Sequence, residues 1–352
     1  MRFVNDLYTA SVGDPWSNER LLPVYERSVE RLPLNQEEQK ALRDFVGFQL
    51  VGERSRRTVV PEWEHLGDFR SRANAFEKGA NQALAQLADQ ISPAATAAGI
   101  SFDAILTTTS TGNLMPGFSY RLASRLGELV RPGSMMLDLA NVGCTGSSKA
   151  LNLARSLDAT FRNILVVSVE LPTTLVDVRG TDFDLWQGNC TFGDGAAALW
   201  ISDNVEQGSL ALALEDISYQ QFAGAGLDLI RWRYRDYYAF ELQDHKTFET
   251  DVRKFVTDAL KNAESGWREE PRWAIHPAGI ALLMRVSREL KIPKEAIQPS
   301  VSHYREHSNM SSASVLFVLK DLAATTPVGS AINLLTMGAG FNVVYGRVRR
   351  VR

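Results

Sequence analysis

Two cysteines occur in the 352 residues, and one of them, Cys144, stands where the chain changes structure. In "LDLANVGCTGSSKALNLARSL" (137–157) an apolar strand pattern runs into Gly-Cys-Thr-Gly, and a helical pattern follows at once. Gly143 and Gly146 permit a sharp turn and the close approach of another group. A helix N-terminus presents unpaired N–H groups and the positive end of the helix dipole. Both favour thiolate over thiol, and the same N–H groups can hold a developing oxyanion. The arrangement follows the logic of a nucleophile elbow, with sulfur in place of oxygen. Cys190, in "GNCTFGDG", reads as structural or cavity-lining.

A nucleophilic thiolate needs a proton partner and something to hold the acyl oxygen. Of the five histidines, His276 alone ends an apolar strand, in "WAIHPAG", where Pro277 and Gly279 stop the strand. The carboxyl end of a strand is a natural place for an α/β active site. His65 and His245 lie in charged segments, and His303 and His307 flank the polar stretch "SHYREHSN". Asn309 opens "NMSSASVLFVL", where the common use of Asn is to cap a helix. "GCTGSSK" lacks the ending and spacing of a phosphate-binding P-loop. Two isolated cysteines and scattered histidines make no ligand cluster, so no metal is expected.

These residues need elements to position them. The first ninety residues read as helix and loop. "NQEEQKALRDFVGFQLVGE" starts at Asn35, a good N-cap, and carries Leu42, Phe45, Val46 and Leu50 at helical spacing. A basic segment with Arg54, Arg56 and Arg57 follows. From Phe102 onward strand and helix patterns alternate, which argues for an α/β fold with much parallel sheet. "NILVVSVEL" is nearly continuous in apolar character, as expected of a strand buried on both faces. The polar break "SDNVEQGS" (202–209) divides the chain into 1–203 and 204–352. A correspondence links the two parts. Cys144-Thr-Gly-Ser-Ser-Lys-Ala-Leu and Asn309-Met-Ser-Ser-Ala-Ser-Val-Leu each feed a mainly apolar helix, with Ser148 meeting Ala313 and Leu151 meeting Leu316. A two-fold repeat would bring those helix N-termini to comparable places around one centre.

The bulk composition narrows the function classes. With 38 basic and 41 acidic side chains the net charge is −3, which does not favour nucleic acid. The chain is 45% apolar and 22% charged, as in ordinary globular proteins. No apolar run reaches the roughly 18 residues of a membrane span, and the first residues show no signal-peptide core. Two cysteines fit a reducing compartment. The expectation is a cytoplasmic protein with neither nucleic-acid nor membrane partners.

Together these stretches resemble the thiolase superfamily, and within it the type III polyketide synthases, the chalcone-synthase-like enzymes. The resemblance runs from about Phe76 to the C-terminus. "TTTSTGNLMPGFSYRLASRLG" resembles the segment before the nucleophile, "VGC" carries the cysteine, and "FGDGAAALW" (192–200) resembles a strand-turn signature. "WAIHPAG" resembles the histidine motif, and "SNMSSASVLFVL" closely matches the asparagine motif.

The resemblance implies a thiolase-like fold of two similar halves in five layers, αβαβα, and a homodimer. It implies Cys144, His276 and Asn309 as a catalytic triad, with Phe192 and Phe240 as gatekeepers of an acyl cavity. It places Arg54, Arg56 and Arg57 near a site for coenzyme A phosphate, and Gly338 and Gly340 in a cavity-shaping turn. The implied chemistry is decarboxylative Claisen condensation of a malonyl thioester with a Cys-bound acyl starter. Acyl-coenzyme A and malonyl-coenzyme A, or an acyl-carrier protein, would be the partners, with no resident cofactor. A single-condensation enzyme like β-ketoacyl synthase III, an acyl transferase, or a silent partner of a synthase are the alternatives. The chain departs from the family at Ala278, where the histidine motif has Gly, and at Gly338-Ala339-Gly340, where the family has Gly-Pro-Gly.

Overall fold

The computed structural model describes residues 1–60, 63, 68–206, 210–234, 237–242, 245–261, 267–268 and 270–352. Side chains at 223, 225, 233, 234 and 245–249 are outside this description, as are His65 and the end of the 202–209 break. The chain opens with β1 (Phe3–Ala10), β2 (Asp14–Ser17), α1 (Asn18–Glu30), α2 (Gln36–Gln49) and β3 (Ser55–Thr58). Next come α3 (Phe69–Ala98), β4 (Phe102–Thr109), α4 (Phe118–Leu126), β5 (Val130–Ala140) and α5 (Gly146–Ser156). Then follow β6 (Asn163–Glu170), α6 (Phe183–Thr191), β7 (Gly195–Ser202), β8 (Leu212–Gln221) and α7 (Ala223–Gly226). A hairpin of β9 (Ile230–Tyr234) and β10 (Tyr238–Leu242) leads to α8 (His245–Lys261), β11 (Trp273–Ile275) and α9 (Ile280–Leu290). The chain closes with α10 (Gln298–His307), α11 (Ser314–Thr325), β12 (Ala331–Gly338) and β13 (Asn342–Arg350).

Nine strands form one sheet in the order β11-β12-β13-β8-β1-β7-β6-β4-β5. It is two similar sets joined edge to edge. In the first, β4 and β6 are parallel, and β7 and β1 follow antiparallel. In the second, β11 and β12 are parallel, and β13 and β8 follow antiparallel. The sets meet through a short pairing, Phe3 with Ala213 and Val4 with Leu212.

Strand side chains alternate between faces with a period of two, and that alternation builds the layers. Ile164 and Val166 of β6 face one core while Leu165, Val167 and Val169 face another. The central core also holds Ile332, Leu334 and Val344 of the second set, with Ala150 and Leu151 of α5 and Val315 to Leu319 of α11 between them. Outside the first set lie α3 and α4; outside the second lie α8, α9 and α10. The order is therefore αβαβα. Because α5 and α11 are buried between two sheets, truncating Leu316 to Ala should cost about 2–5 kcal/mol.

The helix expected from Asn35 is α2, with a capping box: Asn35 accepts from the Glu38 amide, and the Glu38 side chain accepts from the Asn35 amide. The reading of the first ninety residues as helix and loop needs correction, because β1 is a central strand. Val4 and Leu7 face the central core while Tyr8 and Ala10 face the outer one. A register shift between Val4 and Asp6 breaks the alternation, which hides the strand from a periodicity reading. Among the described residues no helix is long and apolar enough to cross a membrane.

Candidate active site

Cys144 sits in a single 3₁₀ turn, Gly143–Thr145, that joins β5 to α5. Gly143 has φ +67°, and a Cβ there would lie 2.8 Å from the Ala339 amide nitrogen. A Cβ on Gly338 would lie 2.9 Å from the Cys144 nitrogen. The cysteine turn and the end of β12 thus interlock backbone to backbone, which is possible only with glycine at both contacts. Thr145 ties the turn further, donating to the Asn342 carboxamide oxygen.

His276 follows β11 and continues its parallel pairing, with its amide donating to Leu335 O at 2.8 Å. Its ring is 1% exposed, and neither ring nitrogen has a partner. Asn309 lies between α10 and the turn that starts α11. Its amide donates to Thr191 O at 3.0 Å, and its carbonyl accepts from Gly193 at 3.1 Å, so it is stitched to the loop that carries Phe192. Asn309 does not cap a helix. Its Oδ1 accepts from the Ser311 amide at 2.8 Å, which fixes the carboxamide plane. Cys144, His276 and Asn309, 165 residues apart at the extremes, line one cavity of ≈ 1220 Å³.

Burial sets the protonation. The Cys144 thiol is pushed up to about 12, mainly by desolvation, with the Ser311 hydrogen bond opposing and Glu170 adding to the rise. Burial pushes His276 down to about 3. Burial thus opposes the ionisation that a helix N-terminus favours. Burial therefore favours the neutral form of each group, thiol and imidazole.

Two residues of this site were not singled out in the sequence. Ser311 Oγ donates to Cys144 Sγ at 3.6 Å from a backbone with φ +47°. Glu170, at the end of β6, is fully buried and accepts from Ser312 Oγ, the Ser110 amide and Thr111 Oγ1. Desolvation pushes its carboxyl up to about 7. A usable signal was present: an acid ending an otherwise apolar buried run, "NILVVSVE", is rare without a partner.

The cavity walls divide the other expected residues. Phe192 and Phe240 line it, packed edge to face with ring centres 5.1 Å apart. Arg54 also lines it, but its guanidinium is engaged by Tyr304 Oη, Cys190 O and Asn18 Oδ1. Arg56 is a correction: 1% exposed, it bonds Phe192 O and Asn18 Oδ1 and braces the fold from inside, out of reach of a phosphate. Arg57 donates to Gly13 O and is not on the wall. The cationic wall residues are Arg54, Arg231, Arg285 and Arg305, three of them on β9, α9 and α10. Gly338 and Gly340 are not on the wall either; Met337, Ala339 and Phe341 are, and Gly338 instead backs Cys144. Cys190, on α6, is fully buried in the core that this helix shares with α1 and α2, off the cavity wall. Among the described residues no group of three or more His, Cys, Asp or Glu could hold a metal.

A repeated mixed sheet, two central helices between its halves, and a cysteine at the entry of one of them define the class of fold, which is thiolase-like. A model of the C-terminal domain of chalcone and stilbene synthases matches residues 238–341, and one of 3-oxoacyl-[acyl-carrier-protein] synthase III matches 137–216. The chain is similar in structure to the C-terminal type III polyketide synthase domain of Steely1, a type I/III hybrid from Dictyostelium. The TM-score is 0.81 over 100% of this chain and 99% of that one, at 20% identity. The chain therefore has a thiolase-like fold, and its residues 238–341 are similar to the C-terminal domain of chalcone and stilbene synthases.

Proposed function

We propose that this protein is a condensing acyltransferase that joins a malonyl thioester to an acyl group carried on Cys144. The observation that carries the reading is the shared cavity of Cys144, His276 and Asn309. As an acyl thioester enters, the Cys144 proton passes to His276 and the sulfur attacks the carbonyl. The proton then leaves on the departing thiolate, so acylation is proton-neutral. The imidazole proton then shifts to the cavity-facing nitrogen, which acylation left bare, and a malonyl thioester sets its carbonyl oxygen between that N–H and the Asn309 amide. Loss of CO₂ leaves an enolate on that oxygen, and each donor is worth about 3 kcal/mol in a water-poor site. The enolate carbon attacks the acyl carbonyl and expels the Cys144 sulfur.

Coenzyme A thioesters suit the wall, where Arg285 and Arg305 stand as candidates for phosphate contact. The reading requires no resident cofactor and fits a cytoplasmic location. A cavity of ≈ 1220 Å³ whose surface is mainly apolar has room for more than one extension, which supports polyketide formation over a single condensation. Intact-protein mass spectrometry after acyl-coenzyme A, then malonyl-coenzyme A, tests it. The expected result is acylation at Cys144 and release of products carrying two or more added two-carbon units. One unit only would favour the synthase III alternative; no acylation would end the proposal.

The sheet supports a homodimer. The eleven-residue β5 is an edge strand with no second partner among the described residues, and its Met135, Met136 and Leu137 are only half-buried. Such an edge invites pairing with another chain, and a second copy offers the same strand. Sedimentation of the wild type should give a dimer; a monomer at micromolar concentration would contradict it.

A further inference from the structure

Behind the cavity wall lie two histidines that the condensation chemistry has not used. Neither His303 nor His307 lines the cavity. His303 is 2% exposed, and neither of its ring nitrogens has a partner. A buried imidazole without partners is costly, and such a group calls for water or for a role. Its position is fixed by α10. Ser300 Oγ accepts from the Ile275 amide at 3.1 Å, beside His276, and His303 follows one helical turn later on the same face. His307 comes one turn after that, with ring centres 5.0 Å from His303. Both rings stand against Phe317 of α11, which walls them from the core. The His307 side chain is 29% exposed and Nε2 lies 3.9 Å from Glu306. The two rings thus run along α10 from beside the end of β11, where His276 follows, toward the surface.

The condensation reading supplies a need for such a row, and the inference rests on that reading. Acylation moves its proton within the site. Condensation does not: decarboxylation consumes a carboxylate, releases CO₂ and leaves the expelled Cys144 sulfur needing a proton. One proton must therefore enter per condensation. At that moment the cavity holds a thioester and its pantetheine-like arm, so the route through the mouth is filled by substrate.

We propose that His307 and His303 form a rear proton entry to His276, with water bridging the buried rings. The cavity-side N–H of His276 gives its proton to the Cys144 sulfur as the C–S bond breaks. The opposite ring nitrogen of His276 takes a proton from His303, which takes one from His307, which takes one from solvent. Every ring begins and ends neutral, and the net transfer is one proton from solvent to sulfur. Neutral rings suit this task. Burial holds His303 well below its ordinary range, with His307 and His276 pushing in the same direction. Burial also lowers His307, while Glu306 of its own helix and Asp321 of α11 raise it and Arg57 of β3 lowers it.

The test compares acylation with condensation in His303→Phe, which keeps the ring volume and removes the nitrogens. Acylation of Cys144 should stay within twofold of wild type, while single-turnover condensation of the acylated enzyme should fall at least tenfold. In His303→Ala, added imidazole should restore condensation, and a series of substituted imidazoles should do so in step with their pKa. His307→Phe should lose less, since water can replace a half-exposed ring. His303→Gln is the control should the Phe variant misfold: it can hydrogen-bond but cannot pass a proton through a ring, so it should show the same split. Condensation within twofold of wild type in a folded His303→Phe or His303→Gln variant overturns the relay, as does a uniform loss in both steps. A wild type that acylates but never condenses malonyl thioester overturns the function proposed above, a result separable from either.

Discussion

Ser311 Oγ lies 3.6 Å from Cys144 Sγ, a contact between turns 167 residues apart that feed the two central helices. The neighbouring pair repeats the relation: Ser147 Oγ donates to Ser312 O at 2.6 Å, across the same seam. The entries of α5 and α11 are therefore built against one another, and the thiol of one accepts from a hydroxyl of the other.

Removing that hydroxyl should make the thiol harder to ionise. The Ser311 bond lowers the Cys144 pKa against a larger rise from burial. Ser311→Ala should slow iodoacetamide modification of Cys144 several-fold, the effect of about 1 kcal/mol for a lost hydrogen bond. Peptide mass spectrometry with pH-dependent labelling reads this directly, and an unchanged rate would mean the contact has no electrostatic effect.

Asn309→Ala should separate the two half-reactions. A lost oxyanion donor costs about 10²–10³ in rate. Malonyl decarboxylation should fall by about that factor, and Cys144 acylation by much less. Equal losses in both assays would contradict the assigned role.

Gly338→Ala tests the interlock. The added Cβ would sit 2.9 Å from the Cys144 nitrogen and 3.1 Å from the Thr145 nitrogen, so one backbone must move. Displacing the nucleophile by even about 1 Å can cost about a hundredfold. Acylation should therefore fall tenfold or more in a variant that still folds cooperatively, measured by acyl-enzyme formation beside a denaturant curve.

Glu170 and Asp194 should make the fold less stable in mild alkali. Desolvation raises both buried carboxyls to about 7 from ordinary values near 4. The folded state then holds protons that the unfolded chain has released. Their contribution is full below the unfolded pKa and is lost as pH rises through about 7. Each is on the order of 4 kcal/mol at most, since one pKa unit is about 1.4 kcal/mol. Urea midpoints should drop between pH 5 and 8 in wild type, and less in Glu170→Gln, where the Ser312 hydroxyl can turn to accept from the amide. Parallel slopes would show that Glu170 stays ionised.

Residues whose local setting carries their meaning were legible in the chain itself. Glycines at a strand-to-helix junction mark Cys144, a strand ending at Pro277 marks His276, and small polar residues before an apolar helix mark Asn309. The alternation of strand and helix patterns from Phe102 onward, and the likeness of the two turns, gave the layered two-part fold its expectation. Where periodicity was broken, as by the bulge in β1, the reading failed, because a bulge shifts every later side chain to the other face.

What only the tertiary structure decided is what each group meets. Three arginines within four positions look alike in sequence, yet Arg54 reaches the cavity, Arg56 braces buried carbonyls and Arg57 ties down a loop. The amino-acid order determined which chemistry was available, since a thiol, an imidazole and a carboxamide are properties of residues. Protonation, partnership and access depend on desolvation and distance, and those arise only when segments far apart in the chain are packed together.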